Sequence, residues 1–278
     1  MKYLSFVVAV AASWLACAAE VQVLGEWEFR RGGEEKWSAV HVPHDWGAAG
    51  PFDPDATSVP NEGFRSSYAF SGKLPWYGWG DYRRDVVVEG ASAKTLAEGG
   101  FAYLEFDGVM HDPKVKVNGQ PVGGWDFGYQ SFTLDVTKFV RPGRNLVEVH
   151  ADTRDFKGRW HIGGGIYREA RFVVRPREHV LPGTLAITTP RVTRERAEVV
   201  ARYATPSGRK ERRFTVDKPC LWDVDDPFLY ELELHGERFR YGIRTFEWTV
   251  DDGFHLNGRR VQIKGTNRPC AFAGWPPV

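Results

Sequence analysis

The chain has 278 residues, with 37 basic and 36 acidic side chains and three cysteines. A formal net charge of +1 gives no electrostatic reason to expect nucleic acid or anionic lipid as a partner. Three cysteines do not make a disulfide framework for a chain of this length, so the fold must depend on core packing. The length predicts about two domains. An aromatic content of 14% suits both a β-sandwich core and a sugar-binding surface.

Residues 1–19 have the pattern of a secretory signal peptide. A positive start, Met1-Lys2, precedes an apolar run that ends in small residues before Glu20. The run is too short for a stable membrane span. Cys17 is an alternative lipoprotein cleavage site, but Trp14 is an unfavourable neighbour for one, and we favour plain export. We therefore predict a secreted or periplasmic protein with no membrane span.

The sequence pattern of residues 20–177 predicts one β-rich unit. The segment 101–106 alternates apolar and polar residues, and the run 114–117 alternates and ends in the hairpin turn Asn118-Gly119. Further alternating runs follow at 132–136 and 145–150. The only helical pattern is a weak one near residues 91–98. Short strands at regular spacing predict an all-β sandwich or barrel.

Residues 178–247 predict a second, shorter β unit, with alternating runs near residues 199–203, 230–234 and 239–241. About 70 residues is short for an immunoglobulin-like sandwich, for which about 100 is usual. The segment 248–278 then predicts a hairpin around Asn257-Gly258, with Val261 and Ile263 on its second strand. Such a strand needs neighbours, so we expect it to open a further domain that the chain does not contain. Its apolar face, left uncovered, predicts poor solubility or dependence on a partner.

The block Pro43-His44-Asp45-Trp46 is the first distinctive motif. On its residues alone it is typical of a loop that closes a sandwich, in which Pro43 ends a strand and Asp45 caps a turn. His41 and His44 are a weak candidate metal pair, because no third ligand lies near them in sequence.

The second motif is the run 159–168, in which Arg159-Trp160 precedes Gly163-Gly164-Gly165. Three glycines can cradle a phosphate, but the chain lacks the flanking residues and the helix that such a cradle needs. A tight backbone crossing explains the glycines better. A packed Trp160 and an Arg159 paired with a carboxylate are a structural alternative to a role in binding.

These motifs together resemble those of glycoside hydrolase family 2, which includes β-galactosidases, β-glucuronidases and β-mannosidases. The resemblance rests on Pro-His-Asp-Trp at 43–46, Phe-Asp-Gly at 106–108, Arg-Trp…Gly-Ile-Tyr-Arg at 159–168, Leu-Trp at 221–222 and Lys-Gly-Thr-Asn-Arg at 264–268. The histidine that follows Arg268 in the family is Pro269 here. The resemblance implies a jelly-roll (galactose-binding-like) domain at 20–177, an immunoglobulin-like domain at 178–247 and the opening strands of a (β/α)₈ barrel at 248–278.

By the same resemblance, the substrate-pocket candidates are Asp45, Trp46, Arg159, Trp160, Asn267 and Arg268. Family members use two glutamates for retaining hydrolysis, and in the family both lie in the barrel, beyond residue 278. Asn61-Glu62 imitates part of the acid/base signature, but its loop position argues against that role. We therefore expect no catalytic residue, no metal and no cofactor in this chain.

The resemblance implies the non-catalytic N-terminal region of a secreted β-galactosidase-like enzyme, inactive alone, whose partners are a β-galactoside-like carbohydrate and the missing barrel domain. Two alternatives stay open. A free-standing carbohydrate-binding module requires an aromatic platform, in which Trp46 and Trp160 are the candidates. An interaction protein would pair its β-edges with another chain and have no affinity for monosaccharides.

Overall fold

The computed structural model describes residues 19–49, 52–53, 74–75, 78–154 and 163–265. Nearly all regular structure in these ranges is β, which confirms the predicted fold class. Two helices are short: α1 (Trp46–Ala49) and α2 (Gly90–Ala97), of which α2 matches the weak helical pattern in the sequence. Within the described ranges, no helix is long and apolar enough to cross a membrane.

The first unit is a sandwich of two antiparallel sheets. In spatial order, the four-stranded sheet contains β1 (Glu20–Val23), β12 (Ala170–Arg175), β7 (Phe101–Phe106) and β10 (Phe132–Asp135). The six-stranded sheet contains β3 (Ser38–His41), β2 (Glu26–Arg31), β6 (Trp79–Val88), β11 (Gly143–Asp152), β8 (Lys114–Val117) and β9 (Gln120–Gly124). A separate two-stranded pair joins β4 (Phe52–Asp53) to β5 (Leu74–Pro75).

One hydrophobic core lies between the two sheets. Alternation on β7 buries Ala102, Leu104 and Phe106, as the period of two predicts. The six-stranded sheet contributes Trp27 and Tyr82, among others, to the same core. The Asn118-Gly119 turn joins β8 to β9 with both residues at positive φ, 53° and 77°. This is the geometry for which Asn-Gly is preferred in two-residue hairpins.

The second unit has a core of its own. The three-stranded sheet contains β13 (Ala186–Val192), β14 (Arg196–Thr205) and β15 (Gly208–Asp217), and a hairpin contains β16 (Tyr230–Leu234) and β17 (Glu237–Tyr241). Both contribute to a second cluster of buried residues that includes Val199, Leu232 and Ile243. The predicted boundary at 177 falls between β12 and β13, and the division into domains stays a prediction.

Partly buried polar contacts connect the two units. Arg175 donates to Glu105 Oε1 of the first unit at 2.8 Å and to Glu237 Oε2 of the second at 3.2 Å. Tyr103 Oη lies 2.9 Å from Nε2 of the buried His179, whose Nδ1 lies 2.8 Å from the Pro176 carbonyl oxygen. These contacts hold the connecting segment against both units.

The last described sheet contains β18 (Phe246–Thr249), β19 (Gly253–Leu256) and β20 (Arg259–Arg260). The predicted Asn257-Gly258 turn is present, with φ values of 53° and 76°. The strand predicted over Val261 and Ile263 is not formed: β20 ends at Arg260, and residues 261–265 have no regular structure. A strand needs a paired neighbour, and the ladder ends where the Val261 N–H donates to the Phe254 carbonyl. The predicted boundary at 247–248 falls inside β18.

Apolar side chains are exposed after the hairpin turn, as expected, and also on β18. Ile263 is 64% exposed, and Phe246 and Trp248 of β18 and Val250 just after it are exposed as well, whereas Leu256 of β19 is buried. Trp248 lies against Phe254 with 4.9 Å between ring centroids. The sequence pattern located the hairpin correctly, but it did not show that β18 would pair with it.

Candidate functional site

Asp45 lies where the segment after β3 crosses the loop that begins at Gly163. The backbone N–H of His44 donates to the Ile166 carbonyl at 2.8 Å, and that of Trp46 donates to the Gly164 carbonyl at 3.0 Å. The half-buried Asp45 carboxylate accepts from the backbone N–H groups of Gly47 and Gly164, each at 2.8 Å from Oδ1. Asp45 therefore fastens the two segments together. We call this place the crossing, comprising residues 44–47 and 163–166.

The three consecutive glycines are required by close approach at the crossing. A side chain at Gly163 would lie 2.7 Å from Asp45 Cγ. One at Gly164 would overlap the indole of Trp46, and one at Gly165 would overlap the hydroxyl of Tyr82. Gly165 also has a φ of 96°, which disfavours any residue with a Cβ. The predicted backbone crossing is present, and each glycine leaves room for a different side chain.

Trp46 belongs to the core. Its side chain is 1% exposed and stacks on Phe29 and Tyr82, with ring centroids 5.6 and 6.4 Å apart. Gly80 leaves the space that these rings occupy, because a Cβ there would lie 2.9 Å from Trp46 Cζ3. The indole face is therefore unavailable for stacking on a sugar. The platform role considered for Trp46 in a carbohydrate-binding module is wrong.

His44 of the crossing and Tyr82 of β6 form a neutral hydrogen-bonded pair. His44 Nδ1 lies 2.7 Å from the Tyr82 hydroxyl. Burial lowers the pKa of His44 below its usual value, although the Asp45 charge acts in the opposite direction. Burial raises the pKa of Tyr82 well above 10, although the backbone N–H of Ile166 acts against it. A neutral imidazole and a neutral phenol avoid the free-energy cost of holding a charge at this poorly solvated position.

A loop with exposed aromatic rings lies beside the crossing. The Tyr167 hydroxyl donates to the Gly128 carbonyl at 2.9 Å. Burial raises the pKa of Tyr167, and the nearby Asp45 charge acts in the same direction. On this loop, Trp125, Phe127 and Tyr129 are 41%, 51% and 38% exposed. Exposed aromatic rings within five residues are typical of an interaction surface.

The remaining predicted site residues lie outside the described part of the chain. They are Arg159, Trp160, Asn267 and Arg268, so their roles stay predictions. Residues 1–18 also lie outside it, as does Cys270, while Cys220 is an exposed free thiol. Of the weak metal pair, His41 Nδ1 lies 2.8 Å from Glu26 Oε1, and His44 contacts Tyr82. In the ranges described, no group of three or more ligating side chains is arranged for a metal ion.

The sequence analysis missed two parts of this region. Tyr82 lies in an alternating strand without any motif, so nothing in the sequence connected it to His44. Trp125 and Phe127 had a recognisable signal, since apolar rings alternate through a segment rich in glycine and lying between two strands. Tyr129, two residues after Phe127, lies on the same exposed aromatic loop.

Comparison with known proteins assigns the family. A family model described as the sugar binding domain of glycosyl hydrolases family 2 matches residues 25–174. The β-galactosidase BoGH2A of Bacteroides ovatus is 28% identical over 84% of this chain and 31% of its own length. A β-glucuronidase of Bacteroides fragilis is 22% identical over 95% of this chain and 43% of its own length.

A solved family 2 structure from Bacteroides cellulosilyticus superposes on this chain with a TM-score of 0.71 at 25% identity, covering 88% of this chain and 38% of that one. The chain thus spans less than half the length of these relatives and corresponds to their N-terminal portion. The crossing lies within the matched residues 25–174. The chain belongs to glycoside hydrolase family 2 and carries the sugar-binding domain of that family.

Proposed function

We propose that this chain is the non-catalytic N-terminal region of an exported family 2 glycosidase, and that its crossing helps to form the sugar-binding end of the active site. The parent reaction would be the hydrolysis of terminal β-glycosides with retention of configuration, which requires two carboxyl groups about 5–5.5 Å apart. Relatives named β-galactosidase and β-glucuronidase support the class of substrate. We prefer a β-galactoside because of the motifs at 43–46 and 159–160.

One observation carries the proposal. A half-buried carboxylate, Asp45, is fixed by two backbone N–H groups next to a loop that exposes Trp125, Phe127 and Tyr129. Carboxylates accept hydrogen bonds from sugar hydroxyls, while aromatic rings stack on the apolar faces of pyranoses. The segment 155–162, which carries Arg159 and Trp160, joins the crossing directly in sequence at Gly163. These parts supply the groups that a sugar pocket needs.

Hydrolysis should require more than these 278 residues. The first experiment is to sequence the gene beyond codon 278 and express any longer reading frame. We expect the longer protein to hydrolyse p-nitrophenyl β-galactoside faster than the β-glucuronide or β-mannoside, and the 278-residue chain to hydrolyse none of them. A stop codon followed by unrelated sequence, or a longer protein without glycosidase activity, would overturn the proposal.

Asp45→Asn in the longer protein tests the crossing itself. The amide keeps an oxygen that accepts from Gly47 and Gly164 but removes the negative charge. Loss of one charge-assisted hydrogen bond to the substrate should lower kcat/KM about tenfold, while the weaker hydrogen bonds from the two backbone N–H groups should lower Tm by only a few degrees. Asp251→Asn, in an exposed turn, is the matched control. Unchanged kinetics in Asp45→Asn would mean that Asp45 serves only the fold.

Export is a separate part of the proposal, tested by N-terminal sequencing of the protein recovered from outside the cytoplasm. We expect a mature protein that begins near Glu20. A lipid-modified Cys17 at the new N-terminus would instead support membrane anchoring.

The exposed aromatic loop favours one alternative, a carbohydrate-binding module that functions alone. In that case, Phe127→Ala, which removes a ring that is 51% exposed, should abolish retention of the 278-residue chain on immobilised galactosides with little loss of stability. Trp125 is less suitable for this test, because its ring stacks on Phe132 of the core with 6.1 Å between centroids. Because Trp46 is buried, Trp46→Ala would lower stability and could not test stacking. Retention by the unaided chain, together with the absence of a longer reading frame, would favour the module over the enzyme fragment.

A further inference from the structure

His44 is held at the crossing by contacts to its ring and to its backbone. The imidazole contacts Phe29 with 4.8 Å between ring centroids, and Nδ1 lies 2.7 Å from the Tyr82 hydroxyl. The backbone N–H of His44 donates to the Ile166 carbonyl at 2.8 Å. The fold therefore fixes both the position and the orientation of this imidazole before any ligand binds.

The hydroxyl group of Tyr82 decides which ring nitrogen of His44 carries the proton. Tyr82 is 0% exposed, and among the described residues His44 Nδ1 is the acceptor within hydrogen-bonding distance of its Oη. The backbone N–H of Ile166 acts on the same oxygen as a donor and cannot take the phenol proton. A buried hydroxyl that did not donate would cost free energy, so Tyr82 donates to Nδ1. Nδ1 is therefore an acceptor, and the proton of the neutral imidazole is on Nε2.

The Nε2–H group of His44 is available to a ligand. It makes no hydrogen bond to any residue in the described part of the chain, and it keeps contact with solvent. The Asp45 carboxylate lies close enough for its charge to act on the same imidazole. The crossing therefore carries a neutral donor and a charged acceptor on consecutive residues.

A donor beside an acceptor matches two neighbouring hydroxyl groups of a sugar ring. One hydroxyl can donate to the carboxylate while the next accepts from the imidazole N–H. A carboxylate of the ligand, such as that of a uronic acid, would be repelled by Asp45 at this position. The two side chains therefore suit ring hydroxyls and disfavour an acidic substituent.

We propose that His44 contacts the substrate sugar through Nε2–H, which donates to a ring hydroxyl, and that Tyr82 is a positioning residue that keeps the proton on Nε2. This role rests on the proposed function, because it needs a sugar at the crossing. It adds a neutral donor to the Asp45 acceptor. It also gives the buried phenol of Tyr82 a part in substrate recognition, although the phenol itself does not touch the sugar.

The tautomer is tested first, in the 278-residue chain, by long-range proton–nitrogen NMR correlation with isotope-labelled histidine. His44→Asn assigns the His44 signals, because it removes one of the eight histidines. At neutral pH we expect the proton on Nε2, and Tyr82→Phe should allow a mixture of the two tautomers. A proton on Nδ1 in the wild-type chain would overturn the proposal, whatever the activity of the longer protein.

The contact with the sugar is tested by the kinetics of the longer protein. His44→Asn offers an acceptor oxygen to the Tyr82 hydroxyl but has no group that reaches the position of Nε2, whereas His44→Gln carries an amide N–H that does. We expect kcat/KM to fall about three- to tenfold in His44→Asn, which is the worth of one neutral hydrogen bond, and to be largely kept in His44→Gln. His41→Asn is the matched control and should change nothing, since His41 is exposed and paired with Glu26.

Substrates that lack one hydroxyl separate a sugar contact from a structural role. Each ring hydroxyl of the preferred glycoside is removed in turn. For one of these deoxy substrates, wild type and His44→Asn should have equal kcat/KM, because the hydrogen bond is already absent. Wild-type kinetics in His44→Asn, or the same fold-loss on every deoxy substrate, would mean that His44 serves only the fold. A longer protein without any glycosidase activity would instead overturn the proposed function, and the sugar contact with it, but not the tautomer.

Discussion

Replacing Gly164 by alanine tests whether the crossing depends on close packing. The new Cβ would overlap the indole of Trp46. That ring is buried and stacked on Phe29 and Tyr82, so it cannot move without disturbing the core. Overpacking typically costs about 1–3 kcal/mol. The two hydrogen bonds that Gly164 makes to Trp46 and Asp45 add about 1 kcal/mol each if they are lost.

The expected destabilisation is therefore about 3 kcal/mol, which corresponds to a fall in Tm of roughly 6–12 °C for a chain of this size. Thermal unfolding followed by tryptophan fluorescence measures it, since Trp46 lies at the altered contact. Gly265→Ala is the matched control, because a Cβ there has no atom within 4 Å and its φ is not positive. If Gly164→Ala unfolds within about 1 °C of Gly265→Ala, the crossing is looser than this packing argument requires.

Two further predictions concern the connection between the units and the two histidines whose pKa is lowered. Arg175→Met leaves the Glu237 carboxylate without this partner, whereas Glu105 keeps Arg171 at 3.6 Å, and we expect a loss of about 3 kcal/mol in urea unfolding, partly restored by also replacing Glu237 with Gln. Burial lowers the pKa of both His44 and His179, so below about pH 6.5 the unfolded chain takes up protons that the folded chain does not. Stability should fall by at most about 1.4 kcal/mol per pH unit for each histidine as the pH drops from 6.5 towards their folded pKa values. His179→Gln should make this dependence shallower, and an unchanged pH profile would contradict the assignment.

Local patterns in the sequence predicted the strands well, because their causes are local. The alternation at 101–106 and the two Asn-Gly turns depend only on neighbouring residues, and the structure confirms them. The strand expected over Val261 and Ile263 failed for the opposite reason. A strand is completed by a neighbour, and a segment with strand-like alternation does not contain the information about what pairs with it.

Trp46 shows what the sequence could not predict about the candidate site. The motif at 43–46 correctly indicated a special loop, but its four residues have different roles that no single-sequence pattern separates. Asp45 fastens the crossing, whereas Trp46 fills the core. His44 contacts Tyr82, which is 38 positions away. Only the folded structure shows that Trp46 packs into the core while Asp45 binds the backbone of the glycine loop.

The two motifs at 43–46 and 163–165 form one structural unit, and this has a consequence for experiments on function. Gly163 faces Asp45, Gly164 faces Trp46 and Gly165 faces Tyr82, so each glycine fits one side chain from elsewhere in the fold. A substitution at any of these positions therefore changes stability, in addition to any effect that it has on sugar binding. Kinetic loss alone therefore cannot identify a binding residue here. A variant that keeps the acceptor oxygen of Asp45 but removes its charge separates the two roles, because activity that falls much more than stability means that the charge contacts the substrate.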